Sequence, residues 1–317
     1  MKDVVTSSRL DSNETIWFVE QLNHVKARAY QKKYPELKGA NGVLFPISSE
    51  ADPADETITY EFYNEVGIGA IIANYADDLP RVNVKAERFT SDIRGVGESY
   101  EYSLMDIRKG TKTGKSLPQR KANAARRAND QKVNRIAWYG DAEYNLIGLF
   151  NNPNITAGEV QVGAVSGNKK WENKNPDEIL LDMNDAINDT LDLTNGVEMP
   201  NMLILPIKQY TLVSTTRLAA GTDTTILQFF KNNQPEVMVD RVVELKDVDP
   251  LPSGATGPKD CMVSYVRDEE HLSLEIPQAF EQLPVQEINL AYVVNCHSRC
   301  GGIIVPYPLA VNIVEGI

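Results

Sequence analysis

The sequence predicts an α+β fold with one long basic helix as its spine. Three observations predict it. The stretch at 116–140 reads as a single helix, the hydrophobic period changes to two between Thr57 and Leu104, and short helices and strands alternate from residue 175 onward.

Residues 1–13 are polar and carry no periodic pattern. From Glu14 to Tyr34, Ile16, Val19, Leu22, Val25 and Ala29 recur at helical spacing, with Trp17 and Phe18 adding bulk. Asn13 is placed to cap this helix, and Pro35 lies just past its end. The segment KGANGVLFPISSEADPADE that follows lacks periodicity, so residues 1–55 read as an arm with one helix, too small for a core of its own.

Over 56–105, Ile58, Tyr60 and Phe62 alternate with Thr59, Glu61 and Tyr63, and Val82 and Val84 alternate with Arg81, Asn83 and Lys85. Between them lies NEVGIGAIIANYADDLP, so the expectation is a long two-stranded excursion whose tip carries Tyr75, Asp77, Asp78 and Leu79. A lone hairpin is marginal in water, so a partner must cover it.

The stretch SLPQRKANAARRANDQKVNRIAWYG at 116–140 opens on a capping serine, carries Pro118 in the first turn and closes on Gly140. At 1.5 Å per residue it is a rod of about 37 Å. Ala122, Ala125, Val133, Ile136 and Ala137 form one narrow apolar stripe. The other face carries Arg120, Lys121, Arg127, Lys132 and Arg135, with Arg126 at the edge of the stripe; six bases against Asp130 give +5 in a chain of net charge −12.

Pro153–Lys174 reads as a Gly- and Asn-rich bridge, and Asn175–Pro176–Asp177–Glu178 starts a second helix with Ile179, Met183, Ile187 and Leu191 on one face. Residues 172–198 are acidic, with eight Asp or Glu and one Lys. A short strand follows at Met202–Leu205, ended by Pro206. Helices are expected at Ile207–Thr215 and Thr224–Lys231, and strands at Val237–Leu245 and Met262–Arg267, separated by DPLPSGATGPKD. Glu287–Ile317 is strand-rich, as expected of a chain returning to a sheet.

Composition removes several classes. No apolar run approaches the ~18 residues of a membrane span, and MKDVVTSSRLDSNET lacks the apolar centre of a signal peptide. Three cysteines are too few for a disulfide framework, which fits synthesis in a reducing cytoplasm. Gly110–Thr–Lys–Thr–Gly114–Lys115–Ser116 resembles a phosphate loop, but three residues separate its glycines where four are needed, so a flexible loop is expected. Cys296 and Cys300 have a spacing that zinc accepts, with Cys261 or His271 as completing ligands, yet no second paired motif exists. His24, His271 and His297 have no nucleophile elbow, and Asp77–Asp78 and Asp268–Glu269–Glu270 are mere sequence neighbours. No catalytic residue, metal or cofactor is expected. The basic helix face fits either a polyanion, through phosphate neutralisation, or acidic segments of neighbouring chains.

The order of these parts resembles the major capsid proteins of tailed phages, the Hong Kong 97-like capsid fold. The runs ITYEFYNEVG, IIANYADDLPRV, LPQRKANAARRANDQKVNRIAWYGD, ILPIKQY, LEIPQAFEQLPVQ and GGIIVPYPLAV carry the likeness over residues 14–317. The resemblance implies an N-terminal arm at 1–55, an extended loop at 56–105, a peripheral domain at 106–174 containing the spine helix, an axial domain at 175–284 and peripheral return strands at 285–317. It implies a structural virion protein that assembles with itself as hexamers and pentamers into an icosahedral shell around double-stranded phage DNA, formed in the host cytoplasm. The helix already under way by Asn13 argues against a fused scaffold, so a separate scaffolding protein is expected, with a portal and a decoration protein as further partners and no membrane. The alternatives are an encapsulin-like shell enclosing cargo, and a cytoplasmic nucleotide- or metal-dependent enzyme using the 110–116 loop or Cys296 and Cys300.

Overall fold

A computed structural model describes residues 34–66, 83–113, 117–219, 221–250, 252–254 and 257–317. By its internal packing the chain divides into Met1–Glu36 and Leu37–Ile317, and every described element lies in the second unit. The arm helix expected at 14–34 falls almost wholly outside the described residues, as does the excursion's tip.

The first strand, β1 (Ile47–Ser48), is followed by the ribbon of β2 (Thr57–Val66) and β3 (Asn83–Asp92), antiparallel from Thr57 opposite Asp92 to Val66 opposite Asn83. The next strand, β4 (Arg94–Ser103), leaves the ribbon, although its sequence reads as part of the same excursion. It pairs along its whole length with β12 (Ala291–Cys300), nearly two hundred residues later. On the other edge of β12 lie β10 (Gln278–Gln282) and β11 (Gln286–Ile288), which completes a four-stranded sheet.

Helix α1 (Leu104–Thr113) corrects the expected loop at 110–116: Gly110–Thr113 is its last turn. The reason lies upstream. Ser103 Oγ accepts the Asp106 N–H at 3.1 Å and Asp106 Oδ2 accepts the Ser103 N–H at 3.2 Å, a reciprocal cap that fixes the helix start. That cap and the helix formers behind it outweigh the cost of one glycine, about 1 kcal/mol.

The spine, α2 (Leu117–Tyr139), matches its expected bounds to within one residue at each end. Ala125, Val133, Ile136 and Ala137 are buried as the stripe requires, and Trp138 joins them. Two buried asparagines were not legible as core. Asn129 Nδ2 donates to Ser298 Oγ at 2.7 Å, while Asn134 accepts the Gly39 N–H at 3.0 Å and donates to Glu244 at 2.7 Å. Gly140 ends the helix at φ +64°, and its N–H returns to the Ile136 carbonyl at 2.8 Å.

The centre is a five-stranded sheet of order β5 (Thr156–Glu159), β14 (Val311–Glu315), β8 (Cys261–Tyr265), β6 (Met202–Pro206) and β7 (Met238–Val242). β14 runs parallel to β5 and antiparallel to β8, and β6 runs parallel to β7. β7 is shorter than the strand expected at Val237–Leu245, because the chain turns after Val242 and passes through the left-handed Asp247 at φ +49°. Helices α3 (Pro176–Leu193), α4 (Ile207–Thr215) and α5 (Ile226–Asn233) contribute to the core on one face. A third sheet joins β1 to β9 (Ser273–Glu275) and β9 to β13 (Gly302–Ile304).

Alternation along β6 explains why MLILP is apolar without a break. Met202 and Ile204 enter one core with Val133, Ile136 and Trp138 of the spine and Leu44 and Phe45. Leu203 and Leu205 enter a second core with Ile179, Met183, Ile187 and Phe230. In the first core, the Phe45 and Trp138 rings meet edge to face at 5.0 Å, and the Tyr265 hydroxyl donates to the Leu44 carbonyl at 2.7 Å. Burial of that hydroxyl drives its pKa far up.

Candidate assembly surfaces

The N-terminal half of α2 lies over β4 and β12, with Ala125, Val294 and Cys296 between them, so its bases point outward. Arg120, Arg126, Lys132 and Arg135 are exposed, while Lys121 and Arg127 are half-buried. Lys121 Nζ donates to the Glu101 carbonyl at 2.5 Å and sits 4.0 Å from Asp106. Lys132 pairs with Asp141 at 2.8 Å, and that hydrogen bond holds the Asp141 carboxyl below its ordinary range. Burial raises the Asp130 carboxyl, and the charges of Arg126 and Arg127 offset part of the rise. Six bases therefore face three acids, a local +3 rather than the +5 of the helix alone. Arg120, Arg126 and Arg135 make no salt bridge with another described residue.

The ribbon β2–β3 displays side chains on both faces. Tyr60 and Phe89 stack at 5.4 Å, and Arg88 pairs with Glu61 at 2.5 Å. At its base, Ser91 Oγ donates to the Gly301 carbonyl at 3.1 Å. Tyr75, Asp77, Asp78 and Leu79 lie outside the described residues.

Two surfaces were missed from sequence. One is an apolar groove of about 870 Å³, lined by Phe62, Phe89, Leu193, Val197, Tyr307 and Leu309, with Glu87 and Glu198 in its wall. Its only sequence signal is the apolar residues scattered through the turn LTNGVEMP. The other is the turn at 161–170, inside the stretch that reads as a featureless bridge. The Glu178 carboxylate accepts the N–H groups of Val165 at 2.7 Å, Ser166 at 3.1 Å and Asn175 at 3.1 Å; the Ser166 hydroxyl, followed by these backbone bonds, lowers its pKa to about 2.

The residues held open for enzyme chemistry are not brought together. Cys296 and Cys300 lie four apart on β12, where one faces the spine and the other the first core, and Cys261 lies in the central sheet. His297 alternates to the opposite face of β12 and bonds Gln278 at 3.0 Å. Burial pushes the Cys261 thiol to about 12 and Cys300 to about 11, so neither supplies a thiolate at neutral pH. No trio of His, Cys, Asp or Glu able to hold a metal occurs among the described residues. None of the described helices is long and apolar enough to cross a membrane.

A family model described as "Major capsid protein" matches residues 67–317. The chain belongs to the major capsid protein family. The capsid protein is thus a structural subunit and not an enzyme, and the nucleotide- and metal-dependent alternatives fall with that finding. Its fold is similar to that in "The capsid of Myoviridae Phage XM1", with a TM-score of 0.80 at 16% identity over 94% of this chain and 98% of the other. It is also similar to the structure titled "Mycobacterium phage Ogopogo", at TM-score 0.63, 13% identity and 95% and 98% coverage. "Capsid of native GTA particle computed with C5 symmetry" follows at 0.61 and 9%, over 98% and 99%. No curated protein sequence matches the chain. The capsid protein therefore has the α+β, Hong Kong 97-like capsid fold.

Proposed function

We propose that the capsid protein closes an icosahedral shell of hexamers and pentamers around phage double-stranded DNA, assembled in the host cytoplasm with a separate scaffolding protein, a portal and a decoration protein. In this reading residues 1–55 are an arm to neighbouring subunits, and the part of 56–105 that precedes β4 is an extended loop whose tip, at Tyr75, Asp77, Asp78 and Leu79, lies on an adjacent subunit. The peripheral domain comprises 106–174 and 285–317 and the axial domain 175–284, save that β5 and β14 are strands of the central sheet with β6, β7 and β8, and that β10 pairs with β12.

The observation that carries the DNA reading is the set of exposed arginines on the spine, Arg120, Arg126 and Arg135, without a salt bridge to any described residue. In an acidic chain such a face suits phosphate, which needs charge without base readout. A second reading has its own support. Lys121 and Lys132 already engage Asp106 and Asp141, so the same face accepts carboxylates, and acids of a neighbouring subunit fit it equally. The test replaces Arg120, Arg126 and Arg135 together by Gln and measures particle yield beside the ratio of nucleic-acid to protein absorbance. Normal yield with a lowered ratio supports the DNA role. Lost yield, or an unchanged ratio, refutes it, and lost yield favours the subunit contact.

A further inference from the structure

We infer that the turn at 161–170 of one capsid protein seats in the apolar groove beside Leu193 of a second copy, joining subunits head to tail. The inference rests on the shell reading above and adds which two surfaces meet.

The turn is held far more firmly than an exposed loop needs. Inside it, the Gly163 N–H bonds the Asn168 carbonyl and the Gly167 N–H bonds the Gly163 carbonyl, each at 2.9 Å. Glu178 clasps its tip through the Val165 and Ser166 N–H groups. Close approach explains Gly163, since a Cβ there would lie 2.6 Å from the Glu178 carboxylate. At its base Lys174 donates to the Gln161 carbonyl at 2.7 Å. Two valines are among the side chains that this framework presents to water: Val162 is 54% exposed and Val165 is 80% exposed. Ordering a loop costs backbone entropy at every residue. Two valines held rigidly in solvent return nothing of that to an isolated subunit. A pre-ordered apolar knob does lower the cost of binding a partner.

The groove is the matching receptor. Phe89, Leu193, Val197, Tyr307 and Leu309 are all large apolar side chains left exposed, gathered in one concavity. Its charged members, Glu87 and Glu198, are acidic, and Glu198 also meets His271 Nε2 at 2.9 Å. The knob is flanked by Lys169, which pairs with Glu159, and by Lys170, which is exposed without a salt bridge among the described residues. Apolar surface and charge sign therefore correspond.

The two surfaces lie at opposite ends of one helix. Glu178, which clasps the knob, is in the first turn of α3, and Leu193, which opens the groove, is its last residue. Eighteen residues of helix hold them apart by about 27 Å, so a subunit cannot fill its own groove. Contact between unlike surfaces leaves each copy with a knob and a groove to offer. Repetition then closes a ring when the rotation allows.

The test uses the full chain carrying Val165→Cys and Leu309→Cys, with a short bis-maleimide applied to assembled particles. Cys261, Cys296 and Cys300 are buried and stay unreacted. A ladder of linked subunits on a denaturing gel is expected from the double variant and from neither single variant. Particles of the double variant that run as single subunits after complete labelling overturn the inference and leave the shell reading intact, because particles formed. Val165→Asp is the companion variant. It should melt as wild type does and lose at least about tenfold in particle yield; wild-type yield from it also overturns the inference.

Discussion

Lys174 and Asp182 form an ion pair of 2.6 Å that is closed to water, with 1% and 4% of their side chains exposed. The indole N–H of Trp171 donates to the same carboxylate oxygen at 2.8 Å. Burial pushes the Asp182 carboxyl above its ordinary value of 3.8, and the Lys174 ammonium and Trp171 N–H offset part of that. The pair ties the displayed turn to α3. Lys174→Met should cost about 3–5 kcal/mol, because it leaves a buried carboxylate without its cation. The double variant Lys174→Met/Asp182→Leu should recover most of the loss, and urea unfolding midpoints of the three chains check both statements.

Glu178 gives the turn a pH dependence whose sign is fixed. Its pKa lies at about 2 against an ordinary 4.5, so the unfolded chain binds the proton first as pH falls. The contribution is complete above about pH 4.5 and is lost as pH falls towards about 2. The stability difference between wild type and Glu178→Gln should therefore narrow steadily over that window. A difference that stays constant from pH 6 to pH 2 would contradict the assignment.

Gly140 should not accept a side chain. At φ +64°, an added Cβ would stand 2.4 Å from the Leu146 carbonyl and 2.3 Å from the Asn151 amide nitrogen. Gly140→Ala should cost at least about 1–2 kcal/mol from the left-handed backbone alone, with the clash in addition. Thermal melting measures it.

What could be read from sequence follows the range of the interactions involved. The helix at Ile207–Thr215 was legible to the residue, because Pro206 marks its start and its pattern is local. The spine was legible for the same reason. Arg94–Ser103 reads only as part of the extended loop, since nothing near Gly95 and Gly97 points to a strand at Ala291–Cys300. The helix at Leu104–Thr113 was hidden by its glycine, although Ser103 and Asp106 carried the cap in plain view. The assembly surfaces divide likewise. The basic residues of the spine were evident, but the order of 161–170 comes from Glu178 and Lys174 outside the turn, and composition there suggests only a bridge.

The tip of the extended loop is expected to act between subunits. Replacing Asp77 and Asp78 together by Lys should leave melting near that of wild type and impair assembly. A single exposed ion pair is worth only ~0–1 kcal/mol, yet a shell repeats it in every subunit. Sedimentation of the variant gives the yield, and under the subunit-contact reading of the spine, compensating acidic changes at Arg120, Arg126 and Arg135 restore particles in part. Full particle yield from the double Lys variant at physiological salt would show that the tip carries no such contact.

In the proposed function this chain builds a closed shell from copies of itself. Negative-stain imaging of the purified native protein, paired with its sedimentation, tests that most directly. The expected result is closed particles of megadalton mass, or rings of six and five where closure is incomplete. A stable 35.3 kDa monomer under every salt and scaffold condition would contradict it.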